Sequence, residues 1–208
     1  MINYKDYELK ETSRKKESTE WSITYSYNTE DKTLPRILLI GDSICHGYHS
    51  NVHNKLLGKC LVTHWATSKC VTDPSYFREL NYILDGYTFD YVSFNNGLHS
   101  FDSDRKEWET AYRSAVKFIQ DKIPGVKLFL TLSTPLQIPE LTAISMELNA
   151  TVKKVAKEKE LAVIDLFTAM DKRDRNTDWS DSHHFKSAAV DEQAEIIANA
   201  VIEELNKK

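Results

Sequence analysis

The sequence predicts an α/β fold with five parallel strands in one sheet. From Pro35 onward, short apolar runs alternate with longer amphipathic segments, as in strands joined by crossover helices. Those longer segments place their apolar residues three and four apart, the period of a helix with one buried face. A length of 208 residues favours one domain with one core.

Residues 1–33 read as an N-terminal extension and 34–208 as the main domain. In the extension, Trp21-Ser22-Ile23-Thr24-Tyr25-Ser26-Tyr27 alternates large apolar with small polar residues, which predicts a strand with one apolar face. Such a strand can pair at the sheet edge or with a second subunit, so a homo-oligomer stays open. Residues 36–40, 61–65, 91–94, 126–132 and 161–164 are the five apolar runs that make the sheet. Residues 104–122 carry Trp108, Ala111, Tyr112, Ala115, Phe118 and Ile119 on one helix face, and Pro124-Gly125 stops that helix. A second helix covers 140–159. The last, 187–205, buries Val190, Ala194, Ile197, Ala198 and Val201.

Composition removes several classes of function. Hydrophobic residues make up 41% and charged residues 28%, which excludes a disordered or coiled-coil chain. The balance of 27 Lys+Arg against 31 Asp+Glu gives a net charge of −4, without the dense basic patch that nucleic-acid binding needs. The longest aliphatic run, 37–40, falls far short of the roughly 20 residues of a membrane helix, so no membrane partner is expected. No signal peptide is visible at the start. The default expectation is a cytoplasmic location, with secretion the alternative if an export segment has been removed. The cysteines Cys45, Cys60 and Cys70 show no metal-finger spacing and fit a reducing compartment. None of the six glycines falls in a dinucleotide or Walker-type phosphate loop.

In an open parallel sheet, ligands bind beyond the carboxyl ends of the strands. After the first strand comes Gly41-Asp42-Ser43-Ile44-Cys45-His46-Gly47, which presents Ser43 at the start of a helix, as a nucleophile or as a helix cap. After the fifth strand comes Asp181-Ser182-His183-His184. Three residues apart on a turn, Asp181 can hold one nitrogen of the His184 ring while the other faces a hydroxyl, the relation of orienter and base in a Ser-His-Asp triad. After the third strand, Asn95-Asn96-Gly97-Leu98-His99 offers side-chain donors to a developing oxyanion, or simply makes a turn.

In this order, the three segments resemble the first, third and fifth sequence blocks of the SGNH (GDSL-type) hydrolase family, in the subgroup whose third block reads Asn-x-Gly-Leu-His. The resemblance spans about residues 35–208. It implies a flavodoxin-like three-layer α/β/α sandwich, with Ser43 as nucleophile, His184 as general base and Asp181 as its orienter. It further implies an oxyanion hole from the N–H groups of Ser43 and Cys70 with a side chain at Asn95 or His99. Asp42, Asn96 and Gly97 are expected around the substrate, and Trp179 is the preferred substrate-facing aromatic. Two departures stand out. His99 replaces the usual Asn of the third block, and residues 65–72, where the second block falls, contain no glycine.

The implied reaction is hydrolysis of short-chain acyl esters of small molecules or carbohydrates, O-acetyl groups first, with neither metal nor organic cofactor. One rival is a non-catalytic carbohydrate-binding module on the same fold. Another is a metal-dependent hydrolase, since His46, His49 and His53 would share one helix face, although no fourth ligand lies nearby. The α/β-hydrolase elbow fails because Cys45 stands where Gly-x-Ser-x-Gly needs glycine.

Overall fold

The computed structural model describes residues 2–207. Its strands are β1 (Ser22–Ser26), β2 (Arg36–Gly41), β3 (Leu61–Thr67), β4 (Tyr91–Phe94), β5 (Lys127–Thr131) and β6 (Ala162–Ile164). The helices are α1 (Ser43–Lys55), α2 (Tyr76–Leu84), α3 (Arg105–Lys122), α4 (Pro139–Glu158), α5 (Leu166–Asp171) and α6 (Ser187–Leu205). All six strands join one sheet in the order β1-β3-β2-β4-β5-β6. The five predicted strands run parallel, and within a residue or two they have the predicted bounds.

The sheet has one strand more than the five expected, because β1 of the extension pairs antiparallel with β3 at the edge. Its alternating pattern suits that position, which leaves one strand side unpaired. Buried Arg36 anchors the crossing: its guanidinium donates to the carbonyls of Tyr27 and Asn28, at 3.0 and 3.1 Å, and to Thr63 Oγ1. A buried charge needs such partners to offset lost hydration. Farther up the extension, Ile2, Tyr4, Tyr7 and Leu9 pack against the core, and Tyr7 donates to Asp121 at 2.6 Å.

Every residue of β2 is buried, as expected of a central parallel strand covered on both faces. Leu38 and Ile40 meet α2, α3 and α4 on one side, and Ile37 and Leu39 meet α1, α5 and α6 on the other. The result is three layers. The parallel strands have the 2-1-3-4-5 order of doubly wound sheets, whose connections change direction between β2 and β4. A crevice at the carboxyl ends of these two strands is therefore built into the topology. Among the described residues, no helix is long and apolar enough to cross a membrane.

Candidate active site

Ser43 is the first residue of α1, directly beyond β2. The approach is close. A Cβ on Gly41 would lie 2.6 Å from Cys45 Cβ, so the glycine is required by the packing of α1 on its own strand, not by a left-handed turn. Asp42 caps the helix, its carboxylate accepting from the Ile44 N–H at 2.9 Å. That corrects its expected substrate contact: the Asp42 side chain is buried and serves the backbone. The Ser43 N–H lies in the first turn, where helix geometry supplies no intrahelical acceptor.

His184 approaches from a loop before α6. The loop is fixed at its base, where Lys186 N–H donates to the Asp178 carbonyl and Ser180 N–H to that of His184. Trp179 and Phe185 bridge across it, ring centroids 4.4 Å apart. Trp179 is only 3% exposed. It is a core residue that stiffens the loop, and the expected substrate-facing role is withdrawn. Tyr48 and Trp65, also near the sequence blocks, are likewise buried.

In this loop Asp181 serves both the backbone and the His184 ring. Oδ1 accepts the backbone N–H groups of His183 and His184, each at 2.8 Å, and both oxygens face His184 Nδ1, Oδ2 at 2.8 Å and Oδ1 at 3.0 Å. With Nδ1 donating to the carboxylate, Nε2 is left to accept from Ser43 Oγ, 2.8 Å away. Partial burial works against ionisation of Asp181, but the two backbone donors and the ring outweigh it and hold its pKa down to about 2. Neighbouring His183 pairs with Ser182 Oγ at 2.7 Å, and burial followed by the His184 charge lowers its pKa.

The segment after β4 does something other than expected. Both Asn95 amide protons are committed, to the Thr131 carbonyl at 2.8 Å and to Ser133 Oγ at 3.1 Å. Asn95 is thus removed as an oxyanion donor, because an amide nitrogen has only two protons. Asn96 clamps the loop after β3: it donates to the Lys69 carbonyl at 2.9 Å and accepts from the Val71 N–H at 3.0 Å. The Lys69 carbonyl and the Cys70 N–H belong to one trans peptide, so the clamp aims that N–H away from Asn96. Asn96 and Gly97 therefore support the site rather than line it for substrate. A Cβ on Gly97 would lie 1.8 Å from Ser133 Oγ. His99 contacts Glu17 of the extension through Nδ1 at 2.7 Å; a carboxylate only accepts, so Nδ1 carries the proton, Nε2 is left as an acceptor, and the expected oxyanion role of His99 is withdrawn.

A small cavity lies at the carboxyl end of the sheet, lined by Asp42, Ile44, Asn95, Leu98, Ser133 and Thr134 among others. At about 10 Å³ it has barely the room of one water molecule. Ser133 and Thr134 were missed in the sequence, although polar residues right after the apolar run 126–132 were a readable sign. Glu17 had no such sign, being 82 residues from the histidine it meets. His53 leaves the proposed metal face and stacks on Tyr27, centroids 4.0 Å apart.

These features define a class of fold, that of the SGNH (GDSL-type) hydrolases. No family model matches the chain, and no curated protein matches its sequence. Solved structures do match. An acetyl xylan esterase, AlAXEase, is 16% identical with a TM-score of 0.67, over 80% of this chain and 99% of its own. A variant of an acetyl-xylooligosaccharide esterase from Geobacillus Stearmophilus is 18% identical at 0.66, over 82% and 94%. A carbohydrate esterase family 3 protein from Talaromyces cellulolyticus is 13% identical at 0.67, over 84% and 99%. At such identities the likeness establishes the fold, and chemistry has to be argued from the site.

Proposed function

We propose that the protein is a serine ester hydrolase acting on short-chain acyl esters, with O-acetyl groups on carbohydrate as its substrate class. One observation carries this reading: Ser43 Oγ, the His184 ring and the Asp181 carboxylate form one hydrogen-bonded line with 2.8 Å contacts on both sides of the ring. Ser43 attacks the ester carbonyl while His184 Nε2 takes its proton, and Asp181 stabilises the imidazolium that forms. N–H groups of Ser43 and Cys70 hold the oxyanion. His184 then protonates the leaving alcohol. Water, deprotonated by His184, next cleaves the acyl-enzyme to the free acid and regenerates Ser43.

One further point supports the substrate class. The three neighbours above are named for acetylated xylan, acetylated xylooligosaccharides or carbohydrate esters.

The test compares wild type with Ser43→Ala and His184→Ala, each shown to be folded, on 4-nitrophenyl acetate, butyrate and octanoate and on acetylated xylooligosaccharides. The expected result is turnover that falls steeply with acyl length and vanishes in both variants. Full turnover in Ser43→Ala would overturn the mechanism. Binding of the sugars without release of acetate would favour the binding-module reading.

A further inference from the structure

One helical turn beyond Ser43, α1 turns a histidine face toward the sheet edge. His46 and His49 project from the helix, and His64, fully buried, rises from β3 to meet them. Each of the three offers a ring nitrogen, and these nitrogens lie within 4.8 Å of one another. From this convergence we infer that His46, His49 and His64 form a site for a divalent transition-metal ion of the zinc class. The site is distinct from the Ser43–His184–Asp181 line and does not depend on its chemistry.

Three features of the cluster support the assignment. First, His46 Nδ1 and His64 Nε2 are 3.2 Å apart. Two nitrogens bound to one tetrahedral zinc at about 2.0–2.1 Å are separated by about 3.3–3.4 Å, so this pair already has close to the required span. Second, His49 Nδ1 contacts the His46 carbonyl at 2.6 Å. A carbonyl can only accept, so Nδ1 carries the proton and Nε2 keeps its lone pair, the arrangement that fixes the tautomer of a metal-bound histidine. Third, the donors come from two elements and are largely withdrawn from water, His49 and His64 being buried.

Tyr25 of β1 lies over the cluster, its ring centroid 5.6 Å from that of His49 and 5.5 Å from that of His64. The rings of His49 and His64 are stacked, centroids 3.9 Å apart. Lone pairs lie in the ring planes, so capture of an ion requires the His49 ring to swing out of this stack until its Nε2 converges with the other two donors. Three imidazoles and water then complete a tetrahedral shell. The proton shared between His46 and His64 moves to the outer nitrogen of its ring, with no change in charge. Bound metal would clip α1 to β3.

The experiment adds Zn²⁺ to the chelator-stripped full-length protein in a calorimeter, and Co²⁺ to a parallel sample for its absorption spectrum. Wild type, His49→Gln, His64→Gln and His183→Gln are compared, the last because it lies beside the other histidine cluster. The expected outcome has four parts: one ion per chain, strong visible bands of tetrahedral cobalt, a Tm raised by roughly 5–10 °C at a hundredfold excess of zinc over Kd, and binding weakened roughly 100-fold or more in His49→Gln. His64 is fully buried, so if His64→Gln fails to fold, half-exposed His46→Gln takes its place. Binding that survives in His49→Gln, or disappears only in His183→Gln, overturns the assignment. So does an absence of stoichiometric binding to wild type.

Discussion

Replacing Asp181 by asparagine keeps the backbone contacts of Oδ1 and changes what stands at Oδ2. Oδ1 takes two backbone N–H groups at 2.8 Å, and an asparagine Oδ1 can keep both. Its Nδ2 then takes the place of Oδ2, the nearer of the two oxygens to His184 Nδ1, at 2.8 against 3.0 Å. Two N–H donors cannot face each other, so Nδ1 becomes the acceptor and the ring proton moves to Nε2. In that tautomer His184 cannot take the proton of Ser43. The expected loss in kcat is about 10⁴-fold, or about 5 kcal/mol in activation free energy. Stability should hardly change. Asp181→Ala is the complement, since it also frees the two backbone N–H groups. Because this carboxylate is about half exposed, water replaces much of what is lost, and the cost is about 1 kcal/mol, or roughly 2–4 °C in Tm. The assay is steady-state hydrolysis of 4-nitrophenyl acetate together with thermal melts of the three proteins. Asp181→Asn keeping more than a tenth of wild-type kcat, or melting as low as Asp181→Ala, would refute the role of Oδ2 as the acceptor that sets the His184 tautomer.

Three further outcomes are expected. Asn96→Ala strands the Lys69 carbonyl and the Val71 N–H, at a cost of about 2–4 kcal/mol in stability, and by freeing the Cys70 peptide lowers kcat roughly 10²- to 10³-fold; denaturant melts and kcat measured together check this, and an unchanged kcat removes Cys70 from the oxyanion hole. Trp179→Ala should cost about 3–5 kcal/mol of stability, because the ring is buried against Phe185. A raised KM with an unchanged Tm would instead return Trp179 to the substrate. As for pH, the Asp181 carboxyl lies below its ordinary value of 3.8, at about 2. Its contribution to stability is therefore complete above about pH 4.5 and is lost as pH falls through 3.8 toward 2. The Tm difference between wild type and Asp181→Ala should close over that window, and closure already near pH 5 would contradict the pKa.

Most of the fold could be read from the chain, because a strand covered on both faces must be apolar throughout, as 37–40 are, and a helix covering one must be apolar on one side, as Trp108, Ala111, Tyr112 and Ala115 are. That Ser43, Asp181 and His184 could meet was legible for a related reason. Each lies within a short segment at the end of a strand or the start of a helix, and the roles of nucleophile, base and orienter proposed for them restrict the choice of residue type.

The errors concern side chains whose partners are remote in sequence. Asn95 and Asn96 have the donors an oxyanion needs, yet one is committed to β5 and the other to the loop after β3. Trp179, expected to face the substrate, lies in the core, since sequence reports an aromatic ring but not which side of a loop it faces. The histidines of α1 show the same division. Their helical spacing was visible, but it grouped His46 and His49 with His53, whereas β3 supplies His64 and the extension draws His53 to Tyr27. By itself the sequence determined the layers and the three residues of the hydrogen-bonded line, because local periodicity and local chemistry are written along the chain. Only the tertiary structure decided which polar groups were already committed, because a hydrogen bond is used up by whichever partner folding brings within about 3 Å.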